Sequence, residues 1–135
     1  MGVSPVACIV GPTAAGKSAL AMALAEAEGL AIVSADSRQV YSGFDVGTAK
    51  PTREERERVP HYGVDVADPR ERYSAHRWAT EAEHWCTTAR QANTVPVIVG
   101  GTGLYVRAFV QPLAAVPALD GDRRAALEPW LDSLD

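Results

Sequence analysis

Residues 11–18 read G-P-T-A-A-G-K-S and fit G-x-x-x-x-G-K-[S/T] at every required position. No other feature restricts the fold so tightly. Such a loop works where a strand delivers the chain and a helix carries it away. Its glycines let successive N–H groups turn inward on phosphate oxygens, and the helix N-terminus adds its positive end. Both flanks are present. Val6 to Val10 is an unbroken apolar run between Pro5 and Gly11, which predicts a strand buried on both faces. Lys17 to Glu28 is rich in alanine and leucine, with Gly29 placed to end a helix. By residue frequencies the pattern arises about once in a few hundred chains of this length. With flanks that agree, an ordinary strand-to-helix turn is the poorer explanation.

Gly11, Pro12, Thr13, Ala14, Ala15, Gly16, Lys17 and Ser18 are therefore the candidate diphosphate- or nucleotide-binding residues. Lys17 suits a terminal phosphate, and the Ser18 hydroxyl suits Mg²⁺, which keeps most of its waters. The nest accepts a diphosphate as readily as a nucleoside triphosphate such as ATP, so the loop alone leaves the ligand open.

Strands and helices alternate onward. Leu30 to Ser34 is a second apolar strand, and Tyr62 to Val66 a weaker third. Thr52 with Glu55 forms a capping box for a short charged helix through Arg58. Ser74 caps a long helix to about Ala92, with Ala75, Trp78, Ala82, Trp85 and Ala89 on one apolar stripe. Val95 to Val99 is a strand, a glycine-rich turn follows, and Leu104 to Val110 restarts a helix. Gln111 to Ala118 reads as a linker. Asp120 to Leu134 reads as a helix interrupted by Pro129. The order strand, loop, helix, strand is a right-handed crossover unit. The fold class is α/β: a P-loop NTPase-like parallel sheet flanked by helices.

The 135 residues make one domain's length. At 47% apolar and 22% charged the composition is that of a soluble globular protein. No apolar run approaches a membrane span's length, and the N-terminus lacks a signal peptide's basic stretch. Cys8 and Cys86 have no metal-like spacing and read as reduced thiols in or near a core. These features predict a cytoplasmic protein. The net charge of −4 counts mildly against nucleic-acid binding by this segment. His61, His76 and His84 lack ligand-like partners. Lys17 and Lys50 are the two lysines of the chain. Lys50 reads as a lone loop lysine within reach of a phosphate at best.

Asp36 follows the second strand, at the carboxyl edge of the sheet where ligands of open α/β sheets bind. It reads either as a turn-capping aspartate or as a general base facing the phosphate loop's ligand.

Five segments then stand together in order: G-P-T-A-A-G-K-S, S-A-D-S-R-Q-V-Y (34–41), D-V-G-T-A-K-P (45–51), P-H-Y-G-V-D-V-A-D-P (60–69) and V-G-G-T-G-L-Y (99–105), with Tyr73-Ser74 between the last two. In these segments the chain resembles the tRNA dimethylallyltransferases, or tRNA isopentenyltransferases. The resemblance covers about Val6 to Tyr105 and runs on more loosely to Arg124.

That resemblance implies transfer of the dimethylallyl group of dimethylallyl diphosphate to N6 of the adenosine 3′-adjacent to the anticodon. It implies Asp36 as the base, with Asp36, Ser37, Arg38 and Gln39 contacting the tRNA. Thr102 and Arg124 match positions associated with the reaction site. Mg²⁺ is the implied cofactor, held by Ser18, and a monomer the implied state of the complete protein. Family members are longer. They continue into a helical tRNA-binding insertion, add an arginine on the diphosphate and complete the sheet. Residues 1–110 thus correspond to the N-terminal part of the catalytic core, and 111–135 to the linker and the start of that insertion. A sheet so interrupted is expected to expose a strand edge and apolar surface. Two other readings fit the loop and acid alone: a small-molecule kinase, and a non-catalytic phosphate-binding fragment.

Overall fold

The computed structural model describes residues 5–12, 16–45 and 47–111, together with positions 125 and 129. Short apolar runs become strands β1 (Ala7–Val10), β2 (Leu30–Ser34), β3 (His61–Tyr62) and β4 (Val95–Gly100). The intervening segments form helices α1 (Lys17–Glu28), α2 (Arg53–Arg58), α3 (Ala75–Gln91) and α4 (Gly103–Val110). All strand pairings are parallel, in the spatial order β1-β4-β2-β3. β4, last in sequence, therefore lies between β1 and β2, and the carboxyl ends of these three strands share one edge of the sheet.

Alternation along the strands divides the core. Val33 and Ile98 face Trp78, Ala82 and Cys86 of α3 and Tyr105 and Ala108 of α4. Ile32, Val97 and Val99 face Ala21 and Ala25 of α1, with Val59 beyond α2. Trp78 is fully buried, stacks on Tyr105 at 5.3 Å and donates its indole N–H to Ser34 O at 2.9 Å. Core packing is thus the work of this tryptophan. Trp85 is half-buried against the same cluster, and Cys86 takes a place on the buried stripe of α3.

The helix caps match the sequence signals. Thr52 and Glu55 form both halves of a capping box, and Ser74 Oγ accepts from Arg77 N–H. β3 is shorter than its sequence predicts. It starts one residue earlier, at His61, and keeps only Tyr62 of the expected run because the chain turns at Gly63, so that Val66 lies outside any strand.

β1 departs further. It is not buried on both faces: Ala7 and Cys8 are exposed, and Val10 is 59% exposed. The cause is its place in the sheet. Among the described residues β1 pairs with β4 alone. α1 turns its alanines down onto β2 and β4, leaving Leu20 52% and Leu24 40% exposed. The expected strand edge and apolar surface are both present, and the exposed Cys8 belongs to them. α4 ends at Val110, where the sequence predicts that helix to end. The linker and helix expected over 111–135 lie outside the described residues apart from Gln111 and the helical positions 125 and 129. No helix among the described residues is long and apolar enough to cross a membrane.

Candidate active site at the phosphate loop

A cleft of about 350 Å³ opens at the carboxyl ends of β2 and β4, within the size range of small-molecule sites. Lys17 and Ser18 form one wall, Asp36, Arg38 and Gln39 another, and Gly47 to Pro51 a third. Gly100 and Gly101 lie at its base. Thr13, Ala14 and Ala15 lie outside the described residues, as does Arg124.

The loop is shaped from its ends. Gly16 has φ +81°, a conformation that favours glycine, and from it α1 begins, with Leu20 N–H donating to Gly16 O at 3.1 Å. Lys17 Nζ donates to Pro12 O at 2.7 Å, which holds the ammonium across the loop. Gly101 closes the other side. A Cβ there would stand 3.2 Å from Gly11 O and 3.7 Å from Lys17 Nζ.

Glycine at position 100 is a steric necessity. A Cβ would lie 2.2 Å from Ala35 O, where the end of β4 runs against the end of β2. That carbonyl accepts Thr102 N–H at 3.1 Å, and Ala35 N–H in turn donates to Val99 O at 2.8 Å. Thr102 Oγ1 accepts Ser37 N–H at 3.0 Å. Thr102 therefore fastens the β4–α4 turn to the Asp36 turn, sixty-five residues away in sequence. Its hydroxyl proton stays available to donate.

Asp36 caps the turn with one carboxylate oxygen and turns its side chain to the cleft. Its Oδ1 accepts Arg38 N–H at 2.8 Å and Gln39 N–H at 3.2 Å, capping the turn. Oδ2 takes no hydrogen bond from the described residues, and the half-buried side chain lines the cleft. Ser37 and Arg38 are exposed beside it. Gln39 is arranged differently: its amide is spent within the protein, on Ser34 Oγ and the carbonyls of Thr48 and Ala49.

Lys50 also lines the cleft. Its ammonium is committed to Tyr41 O and the carboxylates of Asp45 and Asp65, so it is not a free phosphate ligand. Asp65 and Arg56 are functional neighbours that the sequence did not single out. Lysine scarcity was the available signal, since both lysines of the chain reach this cleft. His61 lines it too. Burial, with Arg56 nearby, lowers its pKa below the usual histidine range despite the opposing bond between Nδ1 and Val59 O. No group of three or more His, Cys, Asp or Glu capable of holding a metal occurs among the described residues.

Comparison with known proteins gives a consistent result. The family described as IPP transferase matches residues 39–134, and that described as Isopentenyl transferase matches 4–62. The tRNA dimethylallyltransferase of Halorhodospira halophila is 51% identical over 125 residues, which cover 93% of this chain and 40% of that protein. That of Burkholderia mallei is 48% identical over 123 residues, covering 91% and 38%. The crystal structure of the full-length tRNA isopentenylpyrophosphate transferase of Bacillus halodurans superposes with a TM-score of 0.76 at 41% identity, covering 95% of this chain and 43% of that one. A eukaryotic dimethylallyltransferase captured acting on tRNA gives a TM-score of 0.77 at 30% identity, covering 91% and 32%. The chain thus spans about two-fifths of the length of the curated relatives it matches.

Proposed function

The chain belongs to the IPP transferase family, and on that premise we propose that it carries the diphosphate-binding and base-activating part of a tRNA dimethylallyltransferase site. The observation that carries this reading is the shared cleft. A phosphate loop with its lysine faces an aspartate that has one carboxylate oxygen uncommitted among the described residues.

The chemistry matches those groups. An adenine amine is a poor nucleophile because its lone pair is delocalised into the ring. Asp36 Oδ2, hydrogen-bonded to N6–H, raises that nucleophilicity and takes the proton as the N6–carbon bond forms. The bond from the allylic carbon to the diphosphate oxygen breaks, and its electron pair leaves with the diphosphate. Loop N–H groups and Lys17 stabilise the charge that gathers there. The allylic carbon can carry partial positive charge, so no covalent enzyme intermediate is needed.

Ser18, exposed at the cleft wall beside Lys17, offers the kind of hard oxygen donor that magnesium takes. Mg²⁺ held there with the diphosphate would supply further charge neutralisation to the leaving group. To reach Asp36, the adenine must be unstacked from the anticodon loop. Exposed Ser37 and Arg38 are the side chains of the 36–39 segment available to the tRNA, and Gln39 shapes the segment from within. Thr102 holds the Asp36 turn, and Arg124 keeps the reaction-site role its motif position implies. Action on tRNA supports the cytoplasmic location that the sequence predicts.

Calorimetric titration with dimethylallyl diphosphate and Mg²⁺, with ATP as comparator, tests the reading. Lys17→Ala is expected to weaken binding of the allylic diphosphate about 10- to 100-fold, the scale of a lost charged hydrogen bond. Tight binding of ATP alone would replace this reading with a kinase.

A further inference from the structure

The third wall of the cleft, Gly47 to Pro51, is held by an unusual concentration of bonds. Lys50 has three ammonium protons and three acceptors: Tyr41 O at 2.7 Å, Asp45 Oδ1 at 2.8 Å and Asp65 Oδ1 at 2.6 Å. Its side chain is 8% exposed. Arg56 completes the cluster, donating to Asp65 Oδ2 at 2.9 Å.

From the other side Gln39 Nε2 donates to Thr48 O and Ala49 O, each at 3.1 Å, while its Oε1 accepts from Ser34 Oγ at 2.8 Å. Thr48 is itself buried, and its hydroxyl donates to Asp45 O at 3.1 Å. The backbone is strained at both flanks of the cluster. Ala49 has φ +52° and Asp65 φ +57°, two of the three non-glycine residues with positive φ among the described residues. Such strain persists where surrounding bonds over-determine it, and it collects at functional sites.

Neither side chain retains a proton for an outside ligand. An unbound lysine at this place would suit a phosphate, and an unbound glutamine a nucleobase. Both instead hold a wall whose cleft continues past the phosphate loop to apolar Met22, Ile32 and Pro51. We propose that Lys50 and Gln39 are positioning residues: together they lock the Thr48–Lys50 wall and so let the cleft distinguish an allylic diphosphate from a bare diphosphate. The discrimination rests on the allylic-diphosphate reading of the cleft, whereas the lock does not.

Two measurements on Lys50→Met test it. Hydrogen exchange followed by mass spectrometry is expected to show residues 41–52 exchanging at least about tenfold faster, as lost bonds free a segment. Calorimetry with Mg²⁺ is expected to show affinity for dimethylallyl diphosphate falling about tenfold, with affinity for inorganic diphosphate within about twofold of the parent, since the apolar contact is what loosens. Unchanged exchange in the folded variant overturns the lock. Equal loss for both ligands returns Lys50 to phosphate binding and overturns its positioning role, as does no loss for either. Should the parent bind neither ligand, the allylic reading and the discrimination fail together, and exchange alone decides the lock. Gln39→Met removes the bonds to Thr48 and Ala49 without stranding a buried charge, and carries the same test if Lys50→Met does not fold.

Discussion

β1 and β4 run side by side in register, from Ala7 opposite Val97 to Val10 opposite Gly100, yet one lies in the core and the other at the surface. Their compositions are close: V-A-C-I-V before the phosphate loop and V-P-V-I-V before the second glycine turn. What separates them is neighbours. β4 has a strand on each side, α1 over one face and α3 over the other, so Val97, Ile98 and Val99 are buried. Among the described residues β1 has one strand neighbour, and α1 leans towards β2 and β4. Side-chain character states a demand for cover, and topology decides whether it is met. The candidate site is built largely from the well-covered side, where Gly100, Ala35 and Thr102 hold the Asp36 turn.

The sharpest way to break this contrast is Gly100→Ala. A methyl group 2.2 Å from Ala35 O must force the two backbones apart, and the loss of stability should exceed about 4 kcal/mol in urea unfolding. A stability near the parent's would show that this contact is loose. Trp78→Phe comes next. It removes the N–H that Ser34 O accepts and opens a void against Tyr105, together expected to cost about 2–4 kcal/mol. Val10→Lys should do least to stability, changing it by no more than about 0.5 kcal/mol. It should also reduce concentration-dependent light scattering, since a charge blunts an open strand edge. A cost above about 1.5 kcal/mol would instead mean that the outer side of β1 is already covered.

Local signals carried much of this structure. The bounds of α1 and β2, the Thr52–Glu55 box and the Ser74 cap are written in neighbouring residues, so a linear reading reaches them. That Lys17, Ser18 and Asp36 share one sheet edge was legible for the same reason: motif, strand end and helix start are contiguous. Residues whose roles depend on distant partners were not. The commitment of Lys50 joins it to Asp65 fifteen positions on, and nothing near either residue announces that bond. Thr102 reaches Ser37 only because β4 inserts between β1 and β2, an order that strand periodicity does not encode. β3 was overread because the apolar residues after Tyr62 disguised a turn at Gly63.

On the proposed reading, in which Asp36 Oδ2 takes the proton from N6, the division of labour within Asp36 narrows what can stand there. Asparagine would keep an acceptor for Arg38 and Gln39 N–H but carry no charge with which to draw off a proton. Glutamate would keep the charge, but its extra methylene would carry the acceptor away from those two amides. Serine could cap a turn but would not serve as a base near neutral pH. Of the short polar side chains, aspartate alone would meet both requirements, so architecture and the proposed reactivity converge on the same carboxylate.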